Sequence, residues 1–320
     1  MMIFTHENVR RWFAEMRRLG DWPETACGKI EADGSIKWKY FSHEDYDGIG
    51  AIVQILRENG FDVPSTPETR RSRAKSAWWG LKQFTKPPLT VLDSQPPWKD
   101  YDRDFAGERV VPQAICLSRQ DTQRIASNAK RQKVFPNSFQ LWALDRAISP
   151  LLVNEWAPRH WMIPVNLRGP VQWKRDTANH SSGMWCRIKP GYSPADVQRT
   201  TLAQLKTDEH WVIWWQFQWI GLFGGHAVRQ ALLASKRGGN YTTATFVSVG
   251  DFSPKKLDGS DPDLWCAAPC AMRNSAISAG AGSFQGRQIL ALGVNPAVKD
   301  ARLRAAETLE RWRQLLMEDQ

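Results

Sequence analysis

Between residues 36 and 60 the chain changes its hydrophobic period, and that change limits how the region can fold. Ile36, Trp38 and Tyr40 alternate with Lys37 and Lys39, the two-residue period of a strand with one buried face. The strand runs directly into Ser42-His43. After Gly48 an apolar helix, Ile49 to Leu56, follows and stops near Asn59-Gly60. The chemistry of this region sits between a strand and a helix, and strand-helix alternation from Val110 to Ile148 points to a layered α/β domain. The polar corner, His43-Glu44-Asp45-Tyr46-Asp47-Gly48, then sits at the edge of the core.

The rest of the sequence extends the pattern. Thr5 is placed to cap a first helix whose Val9, Trp12, Phe13 and Met16 share one face. Asp33-Gly34 marks a tight turn joining a run at Cys27 to Ile30 with Ile36 to Phe41. Residues 61–108, with Pro64, Pro67, Pro87, Pro88, Pro96 and Pro97, read as an irregular bridge. Beyond it, strands are expected at Val110 to Leu117, Trp161 to Leu167, Thr243 to Val249, Ser275 to Ala279 and Gln288 to Val294. Helices are expected at 118–131 and 137–148. A terminal helix should place Leu303, Ala306, Leu309, Trp312 and Leu316 roughly on one face. The expected division is 1–105, a first lobe with the polar corner and the bridge, and 106–320, a second lobe.

At 320 residues and 42% hydrophobic content the chain can bury a sizeable core, so disorder is not the default. The N-terminus lacks the continuous apolar region of a secretory signal, which gives a cytoplasmic expectation. Cys27, Cys116, Cys186, Cys266 and Cys270 form no two-pair metal spacing. The histidines at 6, 160, 180, 210 and 226 form none either, so no bound metal is expected. A net charge of +10 points to an anionic partner of some kind. The basic groups (Arg70, Arg71, Arg73, Lys75; Lys130, Arg131, Lys133; Lys255, Lys256) are scattered, and no nucleic-acid-binding signature accompanies them, so no nucleic-acid partner is assigned. Seventeen tryptophans are unusual. Residues 211–223 are too short and too interrupted by Gln to cross a bilayer. They fit a buried core, the wall of a substrate channel that includes Trp214 and Trp215, or a surface in peripheral membrane contact.

Taken alone, His43 is an imidazole at a strand end that can accept a proton near neutral pH. Asp47 can anchor the loop through an arginine, and Gly48 permits entry into the helix. The spacing by itself is weak. It resembles, however, the His-x-x-x-Asp-Gly motif of the chloramphenicol-acetyltransferase-like superfamily, which includes condensation domains, wax ester synthases and alcohol acyltransferases. The helix after Gly48, the pair of helices at Ser118 to Ile148, Ile163-Pro164-Val165-Asn166-Leu167-Arg168-Gly169, Asn179 and Phe246-Val247-Ser248-Val249-Gly250-Asp251-Phe252 are similar to elements of those enzymes in the same order. Three positions depart from the family. Ser42 replaces the first His of a double His, Val247-Ser248 replaces Ser-Asn, and only 42 residues precede His43.

The resemblance implies two acetyltransferase-like lobes with mixed sheets, the first abbreviated, and an active-site tunnel at their interface. It implies direct transfer of an acyl group from a thioester to an alcohol or amine. His43 would be the general base and Asp47 the structural partner of an arginine, for which Arg168 is the candidate. Gly48 would serve close packing and Ser248 would be the oxyanion donor. Ser42, Arg168, Asn179, Trp214 and Trp215 are the candidate substrate-contacting residues. No cofactor would be bound permanently. The donor would be a coenzyme A thioester, or a phosphopantetheine-linked acyl group on an acidic acyl carrier protein, and the acceptor a small apolar or aromatic molecule. The competing reading is a relative without catalysis that binds a lipid, a carrier protein or another partner.

Overall fold

The computed structural model describes residues 4–31, 33–63, 66, 68, 73–86, 90–105, 107–254 and 263–318. Arg70, Arg71, Lys255, Lys256, Pro64, Pro67, Pro87 and Pro88 lie outside them.

Two sheets organise the molecule. In the smaller, β1 (Glu24–Ile30) forms an antiparallel hairpin with β2 (Ile36–Ser42), and β1 also pairs with β7 (Leu264–Ala268) in the order β2-β1-β7. Gly34, at φ +81°, supplies the turn backbone that a side chain would resist. Helix α2 (Gly48–Glu58) packs its Ile52, Ile55 and Leu56 against this sheet with Cys27, Phe41 and Cys266.

The larger sheet has six strands in the order β3-β9-β8-β6-β4-β5: β3 (Gln113–Cys116), β4 (Arg159–Asn166), β5 (Ser181–Ile188), β6 (Ala244–Asp251), β8 (Ile277–Phe284) and β9 (Arg287–Val294). It is mixed, with β4–β6 and β6–β8 parallel and the remaining pairs antiparallel. One face is covered by α4 (Arg119–Arg131), α5 (Pro136–Ala147) and α9 (Ala301–Met317), which close the main core around Trp161, Phe139 and Trp312.

Across the molecule, α1 (His6–Arg18) packs on α7 (Glu209–Leu222) and α8 (Gly224–Arg237). The short α3 (Ala77–Gln83) also lies on α7, and α6 (Pro194–Leu205) lies on β5.

Several elements expected from sequence form close to their expected places. The exceptions have physical causes. β5 and α6 occupy a stretch after Leu167 for which no element is expected, because β5 is buried by its neighbours rather than by an alternating pattern of its own. α3 interrupts the bridge. β7 comes from the C-terminal half yet completes the small sheet, a pairing no local period encodes. In α9 the buried face is Ala305, Thr308, Leu309, Trp312 and Leu316. Leu303 is 60% exposed and Ala306 also faces outward, which corrects the expected stripe. Thr5 is the N-cap of α1 but makes no side-chain capping bond. Among the described residues no helix is long and apolar enough to cross a membrane.

Candidate active site

The corner between β2 and α2 is held by one carboxylate. Asp47 is the N-cap of α2, and its Oδ1 accepts the Gly50 N–H at 2.8 Å. The same Oδ1 accepts from Arg168 Nη2 at 2.8 Å. Oδ2 accepts from Arg168 Nη1 at 2.8 Å and from the His180 N–H at 2.9 Å. Both Asp47 and Arg168 are 3% exposed. Arg168 is satisfied further by donation to the carbonyls of Asp176 and Ala178. A buried charge pair is tolerated only when its remaining hydrogen-bonding capacity is filled, and here it is. Asp47 therefore has no spare lone pair for proton transfer. It ties α2, the end of β4 and the start of β5 to one point.

His43 is aimed by three contacts. Its backbone N–H donates to the Pro23 carbonyl at 2.8 Å, and its own carbonyl accepts from Asn179 Nδ2 at 2.9 Å. Its Nδ1 lies 2.9 Å from the Tyr46 carbonyl. A carbonyl can only accept, so Nδ1 carries the proton and Nε2 holds the lone pair. Phe13 of α1 packs edge-on to the imidazole, with ring centroids 5.4 Å apart. Burial lowers the His43 pKa below 6.5, against the opposing pull of the Tyr46 carbonyl and the Asp47 charge. At neutral pH the ring is a neutral base.

The imidazole lines a cavity of about 280 Å³ between the two sheets. Phe13 and Met16 of α1, Ile213 and Phe217 of α7, and Met162 and Val247 of the large sheet make its wall chiefly apolar. Gly280, Ala281 and Gly282 on β8 also line it, the two glycines letting Pro269, Val249 and Phe252 pack close to the strand. Two buried polar atoms in residues of the wall, Thr25 Oγ1 and Trp185 Nε1, have no hydrogen-bond partner among the described residues. Thr25 is 2% exposed and lies two residues from Pro23, whose carbonyl holds the His43 backbone. An unmade hydrogen bond on a buried group costs about 1–3 kcal/mol.

No family model and no curated protein sequence matches the chain. Its three-dimensional structure does have likenesses. Trichothecene 15-O-acetyltransferase from Fusarium sporotrichioides superposes with a TM-score of 0.54 over 90% of this chain and 68% of that one, at 10% identity. The chain has the chloramphenicol-acetyltransferase-like fold. Polyketide synthase associated protein 5 from Mycobacterium tuberculosis aligns with a TM-score of 0.49 over 90% of this chain and 75% of that one, at 14% identity. The first condensation domain of the CDA synthetase gives 0.49 at 13% identity, over 87% of this chain and 63% of that one.

Within this acetyltransferase-like fold, His43, Asp47, Gly48, Arg168 and Asn179 are brought to one corner, and several expected roles move. Arg168 and Asn179 do not face the cavity. Arg168 is committed to Asp47. Asn179 is fully buried, bonding the His43 carbonyl through Nδ2 and the Ser181 N–H and hydroxyl through Oδ1. Ser42 also lies outside the cavity lining. Its hydroxyl accepts from Arg17 at 2.7 Å and from the Glu44 N–H at 3.2 Å. Ser248 is on the wrong side of β6. Val247 and Val249 line the His43 cavity, while Ser248 is exposed in a separate cleft with Thr122 and Asn137. Strand alternation turns it away.

Gly48 lines the cavity, but a Cβ there would meet nothing within 4 Å. The close-packing glycine is Gly50, where a Cβ would stand 2.0 Å from the Thr177 carbonyl oxygen. Trp214 and Trp215 are buried in a core cluster with Val9, Leu167 and Trp211 and are not cavity-lining residues. Residues 211–223 are thus core on one side and cavity wall, through Ile213 and Phe217, on another. Thr25 and Trp185 were not anticipated, since a Thr in a strand and a Trp in a polar stretch carry no positional signal. Among the described residues no group of three or more His, Cys, Asp or Glu could hold a metal.

Proposed function

We propose that the chain is an acyltransferase that moves an acyl group from a thioester donor to an alcohol or amine acceptor within the His43 cavity. The observation that carries this reading is the tautomer of His43. The Tyr46 carbonyl fixes the proton on Nδ1, so the lone pair sits on Nε2 of a ring that burial keeps neutral.

In this reading Nε2 takes the proton of the acceptor hydroxyl or amine as its heteroatom attacks the thioester carbonyl. The tetrahedral intermediate collapses by breaking the C–S bond, and the imidazolium returns the proton to the departing thiolate. A positioned base of this kind contributes about 10²- to 10⁴-fold. Asp47 does not shuttle protons. It holds the corner so that His43 keeps its geometry, and Asn179 does the same through the His43 carbonyl. Thr25, a wall residue whose buried hydroxyl has no partner among the described residues, takes the place of Ser248 as the candidate donor to the developing oxyanion, a role worth about 10²- to 10³-fold.

The apolar wall suits an acyl chain or an aromatic acceptor. The thioester is carried by coenzyme A or by the phosphopantetheine arm of a carrier protein, and the net positive charge suits the phosphates of either. Thiol release measured against a panel of acyl-coenzyme A and carrier-bound donors, each with mixed alcohol and amine acceptors, tests the proposal. Acceptor-dependent release is expected. Its absence with every donor would leave a binding protein on this fold.

A further inference from the structure

Three large apolar side chains on one short helix face solvent. In α3, Trp78 is 64%, Leu81 37% and Phe84, its C-cap, 42% exposed. They recur at three-residue intervals, which puts them on one side of the helix. Isolated exposed apolar residues need no explanation, but three on one face do.

This face is not a frayed end. Trp79 points the other way, into the core cluster of α7. Trp215 Nε1 donates to the Lys75 carbonyl at 3.1 Å and Trp219 Nε1 to the Ala77 carbonyl at 3.3 Å. Gly80 lies so close to Trp215 that a Cβ there would stand 2.3 Å from the indole. The underside of α3 is thus fastened to a helix of tryptophans, and its upper side faces solvent. Trp215, Trp219 and Phe223 follow each other at four-residue spacing along α7. α3 covers the first two. Phe223, one turn on and the C-cap of α7, is 78% exposed.

The charges around the patch decide its occupant. Residues 73–86 contain Arg73, Lys75, Lys82 and Lys86 and no Asp or Glu. Lys75 is paired with Asp208 at 2.6 Å. Lys82 and Lys86 are exposed and have no carboxylate partner among the described residues, and Lys82 Nζ sits 5.5 Å from the centre of the Trp78 ring. Apolar and aromatic residues on the face, with lysines at its edge that can reach upward, match a bilayer interface with anionic headgroups.

We propose that α3 is a membrane-docking element, by which Trp78, Leu81 and Phe84 enter the headgroup region of an anionic lipid surface while Lys82 and Lys86 bind lipid phosphates. The contact is peripheral and independent of the acyl-transfer reading.

The test is co-sedimentation of the full chain with vesicles of phosphatidylcholine alone and of phosphatidylcholine containing about 30% phosphatidylglycerol. The native chain is expected to pellet with the anionic vesicles and much less with the neutral ones. Trp78→Ser/Leu81→Ser/Phe84→Ser should lower the partition coefficient roughly tenfold or more on anionic vesicles. Lys82→Gln/Lys86→Gln should lower it by roughly 10- to 30-fold on anionic vesicles, with little change on neutral ones. All five side chains are exposed, so an unchanged thermal midpoint will show that the fold is intact. Absence of native binding to anionic vesicles overturns the proposal and would assign the patch to a protein partner. Equal binding by native chain and triple variant, or no preference for anionic lipid, overturns it as well.

Discussion

The carboxylate of Asp47 and the guanidinium of Arg168, 121 residues apart in sequence, meet in a two-point buried ion pair with both N–O distances at 2.8 Å. Breaking such a pair leaves one charge buried and alone, and Arg168→Met should cost about 3–5 kcal/mol of stability, measured by urea unfolding. A loss below about 1 kcal/mol would show that the corner does not depend on the pair.

Two glycines close together should behave differently. Gly50→Ala drives a methyl into the Thr177 carbonyl and should destabilise by about 1–3 kcal/mol, whereas Gly48→Ala meets open space and should stay within about 0.5 kcal/mol of the native chain. Thermal unfolding of the two variants distinguishes them.

The contrast shows what the sequence makes legible. The motif His43-x-x-x-Asp47-Gly48 is local, and so are the strand and helix that bracket it, which is why their periods can be read directly. Arg168 was reachable through the order of later segments. Gly50 was not singled out, because its constraint is a backbone approach from residue 177. The same holds for β7, recruited across the chain to the small sheet, and for Ser248, whose facing depends on β6 pairing in parallel with β8 through an irregularity between Ser248 and Gly250. Periodicity names a face, but only tertiary pairing decides what that face meets.

Removing the Thr25 hydroxyl tests its assignment. Thr25→Val keeps the shape and deletes the donor, and should lower kcat by about 10²- to 10³-fold without loss of stability, while Thr25→Ser retains most of the rate. Equal kcat in native chain and Thr25→Val would remove Thr25 from the mechanism.

Acid should destabilise the protein from pH 6.5 downward. Burial is the leading cause of lowered pKa values at His6, which falls to about 4, and at His43, His180 and His210. In that window the unfolded chain binds more protons than the native one, so their contribution is complete above pH 6.5 and is lost as pH falls through the native values. Asp145, raised to about 6 chiefly by burial, acts in the opposite sense but is a single group against four. Urea midpoints between pH 4 and pH 8 are the measurement, and a flat profile would contradict the assignment.

The most direct test of the central claim is the acceptor-dependent rate of thiol release by the native chain and by His43→Ala, with circular dichroism confirming equal folding. The account predicts a loss of about 10²- to 10⁴-fold in the variant and, in the native chain, an acid limb of kcat/KM with its midpoint below pH 6.5. Equal rates in the two proteins would show that the imidazole held by Tyr46 is not the base.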